Sequence, residues 1–151
     1  MTSEQQQPVF TIEKIYAKDL SIEVPNAPQI FLDHNQPEVS VQLHSGGESI
    51  ADDTYHVVLT VTVTAKIADK TMFLVEVGQG GVFQIKNVPQ EDIDPILSIA
   101  CPNILFPYAR ESVSDAVSRA GFMPVVLAPV NFEAIYQQRL QQQRHAEVPI
   151  Q

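Results

Sequence analysis

The 151-residue chain carries 9 Lys and Arg against 18 Asp and Glu, a formal charge of −9, and this acid excess excludes nucleic acid as an expected partner because phosphate backbones reward cationic surfaces. With 44% hydrophobic and 18% charged residues there is ample material for one core, which excludes global disorder. No apolar run approaches the ~20 residues that a spanning helix needs, so direct membrane insertion is not expected either.

Residues 1–8 and 141–151 are largely polar and Gln-rich, without apolar periodicity, and are expected to be flexible tails on a single domain spanning 1–151. Cys101 is the only cysteine and can form no internal disulfide, and the N-terminal segment lacks the basic and apolar stretches of a secretory signal. A reducing, cytoplasmic location is the expectation that follows.

The first half reads with period two. From Phe10 to Val24 the even positions Phe10, Ile12, Tyr16, Leu20, Ile22 and Val24 are apolar, interrupted by Lys14 and Lys18, while Glu13, Asp19, Ser21 and Glu23 point the other way. Val39, Val41 and Leu43 mark a second strand after the turn-rich region from Pro25 to Pro37. The third is the cleanest, with Tyr55, Val57, Leu59, Val61, Val63 and Ala65 on one side and His56, Thr60, Thr62, Thr64 and Lys66 on the other. After a reversal at Ala68 to Lys70, a fourth strand over about Thr71 to Ile85 has Phe73, Val75 and Val77 on its inward side and Leu74 and Glu76 exposed on the other. Gly78, Gly80 and Gly81 indicate a bulge or a close backbone approach, since strand continues after them where a phosphate loop would open a helix.

From Gln90 the period becomes helical. Ile93, Ile96, Leu97 and Ala100 fit one stripe, with Glu91, Asp92 and Asp94 near the positive end of the helix dipole. Pro102 is expected to end this helix and open a second, whose stripe Leu105, Ala109, Val113, Ala116, Val117 and Ala120 stops at Gly121. A Pro-bounded apolar loop, Phe122 to Val130, leads to a last helix capped by Asn131 and carrying Phe132, Ile135, Tyr136 and Leu140. The fold class is α+β: a four-stranded antiparallel sheet followed by C-terminal helices packed on one face.

Catalytic chemistry is not visible. His34, His44, His56 and His145 are far apart in sequence with no ligand spacing, so no metal is expected, and Cys101 beside Pro102 reads as a buried, inert thiol. No catalytic residues and no cofactor are assigned. Two surfaces stand out instead. Asp19, Glu23, Leu74 and Glu76 would form an acidic patch around one apolar side chain if the first and fourth strands are neighbours, and Phe106, Tyr108, Phe122, Phe132 and Tyr136 concentrate aromatic surface around the apolar loop.

Four segments carry a resemblance: Ile15-Tyr-Ala-Lys-Asp-Leu-Ser-Ile-Glu-Val-Pro25, Glu76-Val-Gly-Gln-Gly-Gly-Val-Phe83, Cys101-Pro-Asn-Ile-Leu-Phe-Pro-Tyr-Ala-Arg-Glu111 and Leu127-Ala-Pro-Val-Asn-Phe-Glu133. Together they resemble the signatures of the SecB protein-export chaperones over nearly the whole chain. The resemblance implies a SecB-like fold and a homotetramer, a dimer of dimers, that holds unfolded preproteins and passes them to the motor ATPase SecA. By position it implies SecA docking at Asp19, Glu23, Leu74 and Glu76. It implies a client groove lined by Phe73, Phe106, Tyr108, Phe122, Val125, Leu127 and Tyr136, and a subunit contact involving Val75, Val77 and Gln79. Asn35 stands where close relatives carry a tryptophan before Gln36-Pro37, and the Gln/Arg-rich end, closing on Val148-Pro-Ile-Gln151, departs from the family's C-terminal pattern.

Two rival readings remain beside this one: an oligomeric adaptor that binds folded partners through the acidic face, and a small-molecule enzyme with a buried carboxylate or His56 as base in a pocket between sheet and helices.

Overall fold

The computed structural model describes residues 6–147. Four long strands, β1 (Val9–Glu23), β2 (Glu38–Ala51), β3 (Thr54–Ile67) and β4 (Lys70–Lys86), form one antiparallel sheet in the order β1-β4-β3-β2. The β1–β2 connection crosses the end of the sheet through a short 3-10 turn, Gln29–Leu32, that buries Ile30. Three helical segments follow: α1 (Gln90–Pro95), α2 (Cys101–Arg119) and α3 (Phe132–Glu147). Beyond the expected boundary at 141, α3 continues to Glu147 with residues 141–145 exposed; the other tail residues, 1–5 and 148–151, lie outside the described set.

The alternation in β3 and β4 specifies the core. Val57, Leu59, Val61, Val63 and Ala65 are fully covered, as are Val75 and Val77 opposite them, and α2 lays Cys101, Leu105, Ala109, Val113 and Val117 across this floor. Gly81 makes the close approach possible. A Cβ there would stand 2.7 Å from the Phe83 ring and 3.0 Å from a Leu105 methyl. Gly121, with φ of +92°, ends α2 in the left-handed conformation that glycine adopts without penalty.

Three local expectations are corrected. Pro102 does not break the helix: α1 runs through a π turn, Ile96–Ala100, directly into α2, with Ile96, Ala100 and Cys101 all helical. A proline lacks an N–H and crowds the carbonyl four residues back, and a widened turn just before it accommodates both effects.

Tyr16 does not share a face with Phe10, Ile12, Leu20 and Ile22. The ladder to β4 shifts register between Ile12 and Lys14 and again between Ala17 and Asp19, so Glu13 and Lys18 are extra residues. Between these bulges Ile15 and Ala17 turn to the helix side, opposite Gly81 and Gln79, and Tyr16 turns to the open side, opposite Gly80. The second bulge restores the original parity. Finally, Leu74 is half-buried rather than exposed, because it stands between Glu23 and Thr64 on the two neighbouring strands.

Candidate interaction surfaces

The open face of the sheet carries the acidic group. Directly opposed residues of an antiparallel pair share a side, with Cβ atoms about 5 Å apart. Glu23 opposes Leu74, Ser21 opposes Glu76 and Asp19 opposes Gly78. These three rows are successive on one face, so the carboxylates of Asp19 and Glu23 flank that of Glu76 along about 13 Å of strand. All three acids are exposed. Thr60, Thr62 and Thr64 continue the rows onto β3, which leaves a flat surface of small side chains beside the charges.

Further along this face Tyr16 lies over Gly80. Its hydroxyl is 2.6 Å from Nε2 of His56, and the two rings stack with centroids 5.9 Å apart. A Cβ on Gly80 would meet the tyrosine ring at 2.5 Å, which accounts for glycine at that position. His56 is thus on the open face, away from any space between sheet and helices, where the enzyme reading required a base. Among the described residues no three His, Cys, Asp or Glu side chains converge to hold a metal ion. Burial pushes the Cys101 thiol up to about 12, which suppresses the thiolate needed by a nucleophile.

The helix side carries the aromatic surfaces, and they divide into two groups. At the C-terminal end of α2, Phe122 stacks on Phe31 at 5.1 Å and tilts against Phe73 at 5.3 Å. Val125 is half-buried and Leu127 buried in the loop that follows, while Leu32, Met123 and Val126 project into solvent around this cluster. Phe31 and its neighbours in the β1–β2 connection were not singled out from sequence; the Phe31 ring gave no periodic signal because it sits in a turn.

The second group lies under α3. Asn131 caps this helix, accepting from the Ala134 N–H at 3.0 Å, and Phe132 packs edge-on against Phe106 at 6.0 Å. Tyr136 donates to Asp94 Oδ2 at 3.0 Å and Arg139 to Ser98 Oγ at 2.8 Å, tying α3 to α1 and the π turn. A cleft of about 200 Å³ remains between α3 and β2, lined by Leu43, Leu59, Phe132, Ile135, Tyr136 and Arg139 among others. Tyr108 stands apart from both groups, half its surface open on the outer side of α2. Phe73 and Phe106 themselves are buried beneath neighbouring rings, so they act as floor more than as free surface.

Val75, Val77 and Gln79 are already covered within the chain, the valines fully, and Gln79 spends its amide on the Tyr16 carbonyl at 3.0 Å. Within the chain, this side of β4 lies under α2. Residues left open on the helix side are at the sheet edges, Phe10, Ile12 and Leu20 on β1 and Val39 and Val41 on β2. No helix of the described residues is long and apolar enough to cross a membrane.

Comparisons with known proteins agree with this architecture. The family model described as preprotein translocase subunit SecB matches residues 3–143. A protein-export protein SecB of Dechloromonas aromatica is 66% identical over 98% of this chain and 99% of its own length. One from Nitrosospira multiformis is 64% identical over 99% of this chain and 94% of its own. Among solved structures, a SecB-like chaperone of Mycobacterium tuberculosis, in complex with a peptide from an antitoxin, superposes with a TM-score of 0.67 at 14% identity, covering 80% of this chain and 90% of that one, a likeness of fold. With an α+β sheet-and-helix architecture, a match along nearly its whole length and relatives of this identity, the chain belongs to the SecB family, and it is a protein-export chaperone rather than an enzyme.

Proposed function

We propose that this chaperone works in the cytoplasm as a homotetramer, a dimer of dimers, capturing precursor proteins before they fold and surrendering them to the motor ATPase SecA. The observation that carries the reading is the separation of two surfaces by one sheet: Asp19, Glu23 and Glu76 around Leu74 on the open face, and the aromatic groups around Phe122 and Tyr136 on the helix side. Three exposed carboxylates beside a half-buried leucine suit a basic partner that brings an apolar anchor. SecA docked there can then compete for the client held behind the sheet.

Client capture follows from burial. An aromatic side chain of about 150–250 Å² gains roughly 4–6 kcal/mol gross at about 25 cal/mol/Å², much of which association and ordering costs remove. One site binds weakly, and several contacts along an extended chain raise the effective concentration at the next. A folded protein hides the segments that would make those contacts. Assembly is supported by the open apolar side chains Phe10, Ile12, Leu20, Val39 and Val41, an exposed set that association of copies would cover.

The double substitution Asp19→Lys with Glu23→Lys tests the docking. SecA affinity at low salt is expected to fall about tenfold or more with the assembly size unchanged. Unchanged affinity would show the assignment to be wrong. A denatured secretory precursor should be kept from aggregating while its folded form is ignored; equal capture of both favours the adaptor reading.

A further inference from the structure

Tyr16, His56 and Gln79 were absorbed by neither surface, yet they meet at the stretch of β1 that decides where the acidic side chains point. In an unbroken strand, residues three apart face opposite sides of the sheet. Tyr16 and Asp19 nevertheless both face the open side, because Lys18 is the extra residue of the second bulge. Slipping that bulge out while Tyr16 keeps its place would turn Asp19, Ser21 and Glu23 toward the helices and bring Leu20 and Ile22 to the open face.

The segment is gripped from both sides at one residue. On the open face the Tyr16 ring crosses Gly80 and its hydroxyl reaches His56 on β3 at 2.6 Å, bridging over β4. On the helix side the Gln79 amide, 4% exposed, donates to the Tyr16 carbonyl at 3.0 Å. Within one chain β1 is an edge strand paired only with β4, so its intrachain ladder alone resists slippage less than that of an inner strand.

We infer that Tyr16, held by His56 and Gln79 over Gly80, is a register clamp whose role is to keep Asp19 and Glu23 presented to the docking partner. These are positioning residues; the functional half of the inference rests on the SecA docking proposed above, and the structural half does not.

Two full-length variants release the tyrosine by different routes: Gly80→Ala pushes its ring away, and Tyr16→Leu removes the ring and hydroxyl. In each, amide hydrogen exchange within residues 14–23 is expected to accelerate about tenfold or more while Val57 to Ala65 on β3 stay protected. SecA affinity is expected to fall about fivefold or more with suppression of client aggregation retained, and in an Asp19→Asn, Glu23→Gln background Tyr16→Leu should change SecA affinity by less than about twofold. A residue that merely stabilised the fold would weaken both activities and would add to the background. Unaltered exchange in 14–23 in both variants overturns the clamp. Faster exchange with unaltered SecA affinity, where Asp19→Asn with Glu23→Gln does weaken SecA, overturns its positioning role. If the carboxylate variants bind SecA normally, the docking reading fails and the functional half with it, while exchange alone decides the structural half.

Discussion

The hydroxyl of Tyr136, on the second turn of α3, donates to Asp94 Oδ2 near the end of α1 across 3.0 Å. Burial first, and then the Asp94 carboxylate that accepts this bond and repels a phenolate, push the Tyr136 phenol above its ordinary value; Arg139 over the ring pulls the other way. The folded chain therefore favours the neutral phenol. Its stabilising effect is complete below the unfolded value of about 10 and is lost as pH rises through the higher folded one. The phenolate absorbance of the native protein minus that of Tyr136→Phe should titrate above about pH 10; a difference curve at or below that value contradicts the contact.

The exposed Tyr108 offers a clean probe of client binding. Tyr108→Ala should leave stability within about 0.5 kcal/mol, because the side chain is half open and packs little. Combined with Tyr136→Ala it is expected to weaken suppression of aggregation of a denatured precursor several-fold. Full suppression by the double variant removes both residues from the groove.

Phe122→Ala is expected to act on stability and on capture together. The ring lies between Phe31 and Phe73, and each aromatic pair is worth about 0.5–1.5 kcal/mol beyond its burial. Thermal unfolding should report a loss of about 2–3 kcal/mol for this partly buried ring.

Gly81→Ala should cost about 1–3 kcal/mol, since the new methyl meets the Phe83 ring at 2.7 Å and Leu105 at 3.0 Å in a floor with no slack. Gly46→Ala on β2 is the control, because a Cβ there meets nothing within 4 Å. Equal midpoints for the two variants in denaturant unfolding would refute the close approach of α2.

Cys101 is expected to resist alkylation in the native state and to react once the chain is unfolded. Burial holds its thiol near 12, so thiolate is scarce at neutral pH, whereas an unfolded thiol ionises at about 8.5. Mass spectrometry after a timed pulse of iodoacetamide, with and without denaturant, measures the difference. Comparable labelling in both would contradict the burial.

Much of the fold was legible because its signals are local. The unbroken alternation of β3, the reversal at Ala68, the glycine that closes α2 and the asparagine that caps α3 each state a backbone or burial requirement in the residue itself. The continuous helix through Pro102 was not legible, since a π turn leaves no periodic mark in so short a stretch. Nor was the outward turn of Tyr16. The two bulges cancel in parity, so the apolar residues before and after them look like one uninterrupted face.

The acidic patch was legible from alternation once its two strands were neighbours, and β1 beside β4 supplies that relation. The aromatic surface was not. Sequence gathers Phe106, Tyr108, Phe122 and Tyr136 as one set, whereas the chain divides them among a cluster with Phe31, a cleft under α3 and an open helix face. Spacing along a helix says nothing of which distant loop will come to lie against it.

The attachment of α3 has a mechanical corollary. Among the described residues its polar ties to the body are at Tyr136 and Arg139, and the strands facing it, β2 and β3, are joined by a continuous antiparallel ladder. Moving α3 away from the sheet would break two hydrogen bonds and uncover the buried Phe132 and Tyr136 rings, so under the client-groove reading a wider cargo is admitted at the expense of α3 packing while the sheet ladder stays intact.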